Sequence, residues 1–298
     1  MRTARLSPTL IERYWSDVAL WGLLAILYAP LLVHWYDGWL RKSISIEHEY
    51  FSHGLIGLPF AAYITWTNRK RWQRLPQKGA QVQGWKFIGA ILLLFAGVLY
   101  LSGVPDFVNV SVPVLLIGIC LWLKGLPGLK LQGFALLLVF LATPTEIPYL
   151  VAPYTLPLQT FIAGSAGFLL NQIGMDVTIE GIYLAVGGRM VEVAPYCAGL
   201  KMLFTSLYVS LMLLYWTGAW RSRPLAIVFL TSTIALSIFA NIIRNTLLTY
   251  FHGTGNDRAF VWLHEGWGGD VYSTAMLGIL VLLLNQIEPY FSIDDPNE

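Results

Sequence analysis

Charged side chains are scarce: Asp, Glu, Lys and Arg make up 12% of the 298 residues. A water-soluble domain carries about twice that share, so a soluble globular fold is excluded. The net charge is only +2 and no basic stripe is present, which argues against nucleic acid as a partner. Cysteine is nearly absent as well. Cys120 and Cys197 are the only two, too few for a disulfide framework. Cys120 lies inside the apolar run VPVLLIGICLWL and reads as a small buried hydrophobe. Internal repeats, low-complexity stretches and linkers are also lacking, so residues 1–298 read as one domain. What the chain has in quantity is apolar surface: 56% hydrophobic residues, a mean hydropathy of +0.60, twelve tryptophans and fifteen tyrosines. The aromatic residues suit belts at the lipid headgroup level.

A membrane-spanning helix needs about 20 mostly apolar residues. Candidate spans are 18–36, 53–67, 85–103, 110–123, 131–147, 198–216, 224–247 and 270–287. The first has no small-residue cleavage site after it and reads as a retained anchor. The segment 149–172 is apolar too, but Pro153, Pro157 and the small-residue run at 163–167 mark it as an interfacial or re-entrant helix. With eight alternating spans, Arg2, Arg5, Arg13, Arg69, Lys70, Arg71, Arg74, Lys78, Lys124, Lys130, Arg221 and Arg223 all fall on one side. The positive-inside rule makes that side cytoplasmic, with both termini there. The opposite side then receives 37–52, 148–197 and 248–269. In the middle piece, MDVTIEGIYLAVGGRMVEVAPYC holds two β-branched runs around Gly187-Gly188, a hairpin signal. The expected fold is therefore all-α and polytopic, with about eight transmembrane helices and a short extracytoplasmic β-hairpin leading to Cys197.

Three residues on that side carry chemistry. Cys197 opens the sixth span, where a helix N-terminus favours a thiolate; Lys201, four residues on, would share its helix face. The alternative is a small residue at a helix start with Lys201 snorkelling to headgroups. Arg244 ends the seventh span, flanked by Asn241 and Asn245. An arginine after some twenty apolar residues is costly and a candidate for function, against the alternative of interfacial snorkelling. His264 precedes the last span in FVWLHEGWGGD, with His252 as a competitor and Glu265 nearby. Together these supply a thiol, a cation and a proton shuttle, the parts that acyl transfer needs.

The run PYCAGL, then NIIRN near a span's end, then a histidine before the last span, resembles the exosortase/archaeosortase family. The early HEYFSHGLIGLPFAAYITW, with Tyr50, Ser52, His53 and Gly54, resembles that family's second span. The resemblance implies a membrane-embedded cysteine transpeptidase or protease in a bacterial cell membrane, of the branch that carries a histidine. Its substrates would be exported proteins with a C-terminal sorting signal of PEP-CTERM type: a short motif, a hydrophobic helix and a basic tail. Cys197 would be the nucleophile forming a thioester at the extracytoplasmic face, with Arg244 and His264 as its catalytic partners. Arg189 and Glu192, on the hairpin arm, join Lys201, Asn241 and Asn245 as candidate substrate contacts; hairpin solvation and cross-strand pairing are the alternatives for the first two. No cofactor is expected, and the acyl acceptor is left open. Two other classes stay in view. A transporter would show ionisable groups at mid-bilayer or broken helices in paired halves. A lipid- or glycan-modifying enzyme would show clustered acids, of which Glu47 and Glu49 beside His48 are a small example. The spacing of His48, Glu49 and His53 is weak for zinc.

Overall fold

The computed structural model describes residues 8–40, 50–76, 80–194, 199–264 and 266–291. Helix α1 (Pro8–Leu40) is followed by α2 (Gly54–Thr67), the short basic α3 (Arg69–Arg74), α4 (Ala80–Leu101) and α5 (Pro105–Ala142). A short α6 (Ile147–Val151) and a 3-10 turn lead to α7 (Leu156–Gln172). Strands β1 (Val177–Glu180), β2 (Tyr183–Val186) and β3 (Arg189–Glu192) come next. The chain closes with α8 (Leu200–Thr217), α9 (Arg223–Gly253), α10 (Asp257–His264) and α11 (Trp267–Ile287). The protein is an all-α polytopic membrane protein carrying one small sheet. Among the described residues, six helices (α1, α4, α5, α8, α9 and α11) contain windows long and apolar enough to cross a membrane, and α2 is a shorter apolar helix.

Helix α5 accounts for two of the expected spans. A straight helix of its length would be about 57 Å long. Yet the Asp106 carboxylate at its start accepts from the Glu146 backbone N–H, just past its end, at 3.2 Å. The chain therefore doubles back, and the bend is Gly125, whose φ of 62° and ψ of −157° are non-helical. Only glycine adopts that conformation at little cost. The loop expected at 124–130 thus shrinks to a single residue. Lys124 is correspondingly not a solvated loop lysine: it is buried, and its Nζ donates to the Leu75 carbonyl at 3.0 Å.

Other contacts fix which ends of the helices lie together. At one end, Phe134 stacks on Tyr215 at 4.1 Å and Phe60 meets Trp216 at 5.7 Å. That end collects Arg69, Lys70, Arg71 and Arg74 after α2, Lys130 past the α5 bend, and Arg221 and Arg223 between α8 and α9. At the other end, Trp35 Nε1 donates to Asn109 Oδ1 at 2.7 Å, and Tyr50 meets Phe204 at 6.4 Å. Buried side-chain hydrogen bonds of this kind join helices where lipid offers no hydrophobic drive to associate. One such seam joins α8 to α9 through Ser210 and Thr233, 2.9 Å apart.

Two local expectations are corrected. The hairpin is a three-stranded antiparallel meander in the order β1-β2-β3. Gly187-Gly188 turns between β2 and β3 as expected, but Gly181, at φ 63°, breaks the first β-branched run into two strands. The segment 149–172 is likewise not one helix. Pro153 and Pro157 each sit in the first turn of a new element, where the missing N–H costs no hydrogen bond. The resulting α7 buries Ile162, Ala163, Ala166 and Leu170 against Leu184, Val186 and Ile242 of β2 and α9.

Candidate functional site

Cys197 lies outside the described residues, as do His48, Glu49 and Glu265. The chain on either side of Cys197 is well defined. On the upstream side, the Val193 N–H donates to the Ile182 carbonyl at 2.9 Å, extending the meander beyond β3. Its carbonyl accepts from Gln159 Nε2 at 2.8 Å, and Gln159 is 3% exposed. An amide buried in apolar α7 thus fixes the strand exit. The signal for it in the sequence is a lone glutamine in the otherwise apolar LPLQTFIAG.

Downstream, α8 begins at Leu200, later than the expected start at 198. Gly199 takes a left-handed conformation (φ 83°, ψ 10°) at the N-cap of α8, which no right-handed helix continues through. The expected pairing of Cys197 with Lys201 on one helix face falls on a residue outside the described ones. Lys201 itself is half-buried in the first turn of α8. The reason for a glycine at 199 is steric as well: a Cβ there would lie 2.6 Å from Asn241 Cγ and 2.8 Å from Asn241 Nδ2. Asn241, 1% exposed, is packed against the backbone two residues past Cys197.

Asn241 begins the polar stretch of α9. Asn245, one turn on, is 3% exposed, and its Nδ2 donates to the Asn241 carbonyl at 2.9 Å. Arg244 lies between them, half-buried, with its Nε shielded from solvent and without a hydrogen-bond partner. Among the described residues no carboxylate forms an ion pair with it. Its Nη2 is 3.8 Å from the point where Gly269 would carry a Cβ, and the His264 carbonyl oxygen is 4.0 Å from the same point. Gly269, in the first turn of α11, is thus the junction between α9 and the end of α10. Tyr272, one turn further, lies close enough to Arg244 to act on it electrostatically, and its hydroxyl donates to the Ala240 carbonyl at 2.5 Å. Tyr272 had no distinguishing signal in the sequence.

His264 ends α10 and is half-buried. Its ring stacks on Phe260 with centroids 5.2 Å apart and planes at 9°. His252, the competing histidine, contacts the same phenyl ring at 5.1 Å, and its Nδ1 is 3.9 Å from Asp257 Oδ1. Arg189 is held away from the other candidates. Its Nη1 pairs with Asp257 Oδ1 at 2.5 Å and donates to the His252 carbonyl at 3.4 Å. Glu192 is exposed at the end of β3, opposite Tyr183. His53, the residue before α2, is buried between α5 and α8. It is 5% exposed, its Nε2 is 3.0 Å from the Leu141 carbonyl oxygen, and its ring lies 4.3 Å from that of Tyr208.

The structure brings Arg244, Asn241, Asn245 and His264 to the end of the bundle opposite the basic loops, and Gly199 ties the chain beside Cys197 to them. A partly buried cation with no counter-ion among the described residues, next to a helix-terminal histidine, is suited to receive negative charge from a reacting group. Residues 35–281 match the family of transmembrane exosortases. No curated protein and no solved structure matches the chain.

Proposed function

The chain belongs to the transmembrane exosortase family, and from that premise we propose that it is a cysteine peptidase or transpeptidase acting on C-terminal sorting signals of exported proteins. The observation that carries the reading is the close packing of Gly199 on Asn241, where an added Cβ would lie 2.6 Å from Asn241 Cγ. Two residues of chain reach about 7 Å at most and Asn241 lies one turn before Arg244, which supports a reaction that pairs Cys197 with Arg244.

In this reading the substrate is anchored by its own hydrophobic helix, with its basic tail at the end where Arg69, Arg71 and Arg221 gather. The positive-inside rule makes that end cytoplasmic and the reacting end extracytoplasmic. The Cys197 sulfur gives its proton to His264 and attacks the scissile carbonyl carbon, forming a C–S bond. The carbonyl oxygen takes up the negative charge, and the Arg244 guanidinium stabilises it. The C–N bond then breaks and His264 returns the proton to the leaving amine. Water or an amine attacks the thioester carbon and releases Cys197. Asn241 and Asn245 hold the α9 backbone beside the nucleophile; Lys201 and Glu192 flank the path by which a peptide would enter.

The test is the size of a tagged protein ending in a hydrophobic helix and basic tail, produced in the same cells as the enzyme. Processing is expected to stop with Cys197→Ala and Arg244→Ala and to persist with Cys120→Ala, at equal enzyme levels. Undiminished processing by Cys197→Ala would remove the peptidase reading in favour of a lipid- or glycan-modifying enzyme.

A further inference from the structure

Arg189 and Asp257 are both exposed, with 42% and 62% of their side chains accessible. An ion pair in that setting contributes about 0–1 kcal/mol to stability, too little to explain its geometry by stability alone. Its position is more informative than its strength. Arg189 is the first residue of β3, and the strand's far end runs through Val193 and Ala194 toward Cys197. Asp257 is the first residue of α10, and the helix's far end is His264. One side-chain contact therefore joins the start of the strand that exits through Val193 and Ala194 to the start of the helix that ends on the proposed proton shuttle.

The connection is reinforced on both sides. The same Arg189 Nη1 donates to the His252 carbonyl in the last turn of α9, a helix end that attracts cations. Asp257 occupies the first turn of α10, which attracts anions. Backbone contact leaves no slack nearby, since a Cβ on Gly187 would lie 2.5 Å from the Gly253 carbonyl oxygen. Within α10, Phe260 lies one turn after Asp257 and one turn before His264. Its ring contacts His252 at 5.1 Å and stacks on His264 at 5.2 Å.

We propose that the Arg189–Asp257 pair is a positioning clamp that sets the distance between the Cys197 strand exit and the His264 ring. The proposal rests on the reading of Cys197 and His264 as reacting partners. Arg189 and Asp257 touch no reacting atom; they act through β3 and α10. A misplacement of about 1 Å between reacting groups costs up to a hundredfold in rate, so loosening the clamp lowers turnover and leaves substrate binding in place.

The experiment uses the full chain in proteoliposomes with the tagged substrate described above. Arg189→Asp and Asp257→Arg are made singly and together, and kcat, KM and amide hydrogen exchange across 257–264 are measured. Each single reversal is expected to lower kcat by about tenfold, with KM unchanged and faster exchange in α10. The double reversal is expected to restore both kcat and exchange most of the way. A double variant as slow as the singles, or singles that turn over like the wild type, overturns the clamp. So does a raised KM that the double reversal does not restore, because it assigns Arg189 to substrate contact. Activity that survives Cys197→Ala defeats the underlying peptidase reading instead, and the exchange data then decide the clamp by themselves.

Discussion

Replacing Gly199 by alanine perturbs the link between Cys197 and α9 at one atom. Two costs combine. The residue has φ 83°, a left-handed conformation that costs a residue with a Cβ about 1–2 kcal/mol. The new methyl carbon would also stand 2.6 Å from Asn241 Cγ, far inside van der Waals contact, and overpacking of this kind costs about 1–3 kcal/mol. The expected destabilisation is therefore roughly 2–5 kcal/mol, the sum of those two ranges. Asn241→Ala in the same chain removes the two nearest atoms that the methyl group strikes, and leaves Asn241 Cβ at 3.0 Å and the backbone strain. A double-mutant cycle in mixed micelles, read by denaturant-induced loss of helicity, should show a favourable coupling of about 1–3 kcal/mol between the two substitutions. Two results refute the reasoning. A neutral Gly199→Ala means that the left-handed turn is absent, and strictly additive substitutions mean that Gly199 and Asn241 do not touch.

Further outcomes follow from the same geometry. Gly57→Ala puts a carbon 1.8 Å from the Tyr208 hydroxyl oxygen, whereas Gly97 has nothing within 4 Å; Gly57→Ala should unfold in milder denaturant than wild type and Gly97→Ala should not. Trp35→Phe deletes the 2.7 Å bond to Asn109 and leaves a buried acceptor unpaired, a loss of about 1–3 kcal/mol by the same unfolding assay. Arg244→Lys keeps the charge but loses the planar fork of donors. The processing assay should find it at least about tenfold slower than wild type, with Arg244→Ala slower still.

Much of the architecture was legible because membrane helices announce themselves through long apolar runs. The two spans around residue 125 were separable in hydropathy, and the basic residues at 69–74, 130 and 221–223 do gather at one end. Sequence failed where a single glycine decides the path. Gly125 replaces a seven-residue loop, Gly181 adds a strand, and Gly199 sets the start of α8 at Leu200. Each depends on a backbone conformation that composition does not encode. The candidate site was legible only in part. Arg244 stood out as a charge at the end of an apolar run, and His264 by its place before the last helix. Tyr272, Asp257 and Phe260 were ordinary residues in ordinary contexts, and only the fold brings them to the cluster. Nor does the run around His53 announce its burial against Tyr208 and Leu141.

The placement of Gly269 beside Arg244 has a bearing on biosynthesis. Helices α4 and α5 are neighbours in sequence and can assemble while translation continues, but the Arg244 guanidinium meets its last neighbours only when α11 has entered the bilayer. A nascent chain released before that helix emerges holds its arginine and strand exit without the wall that joins them. In the proposed reading, the chemistry at Arg244 therefore waits for α11 to join the bundle.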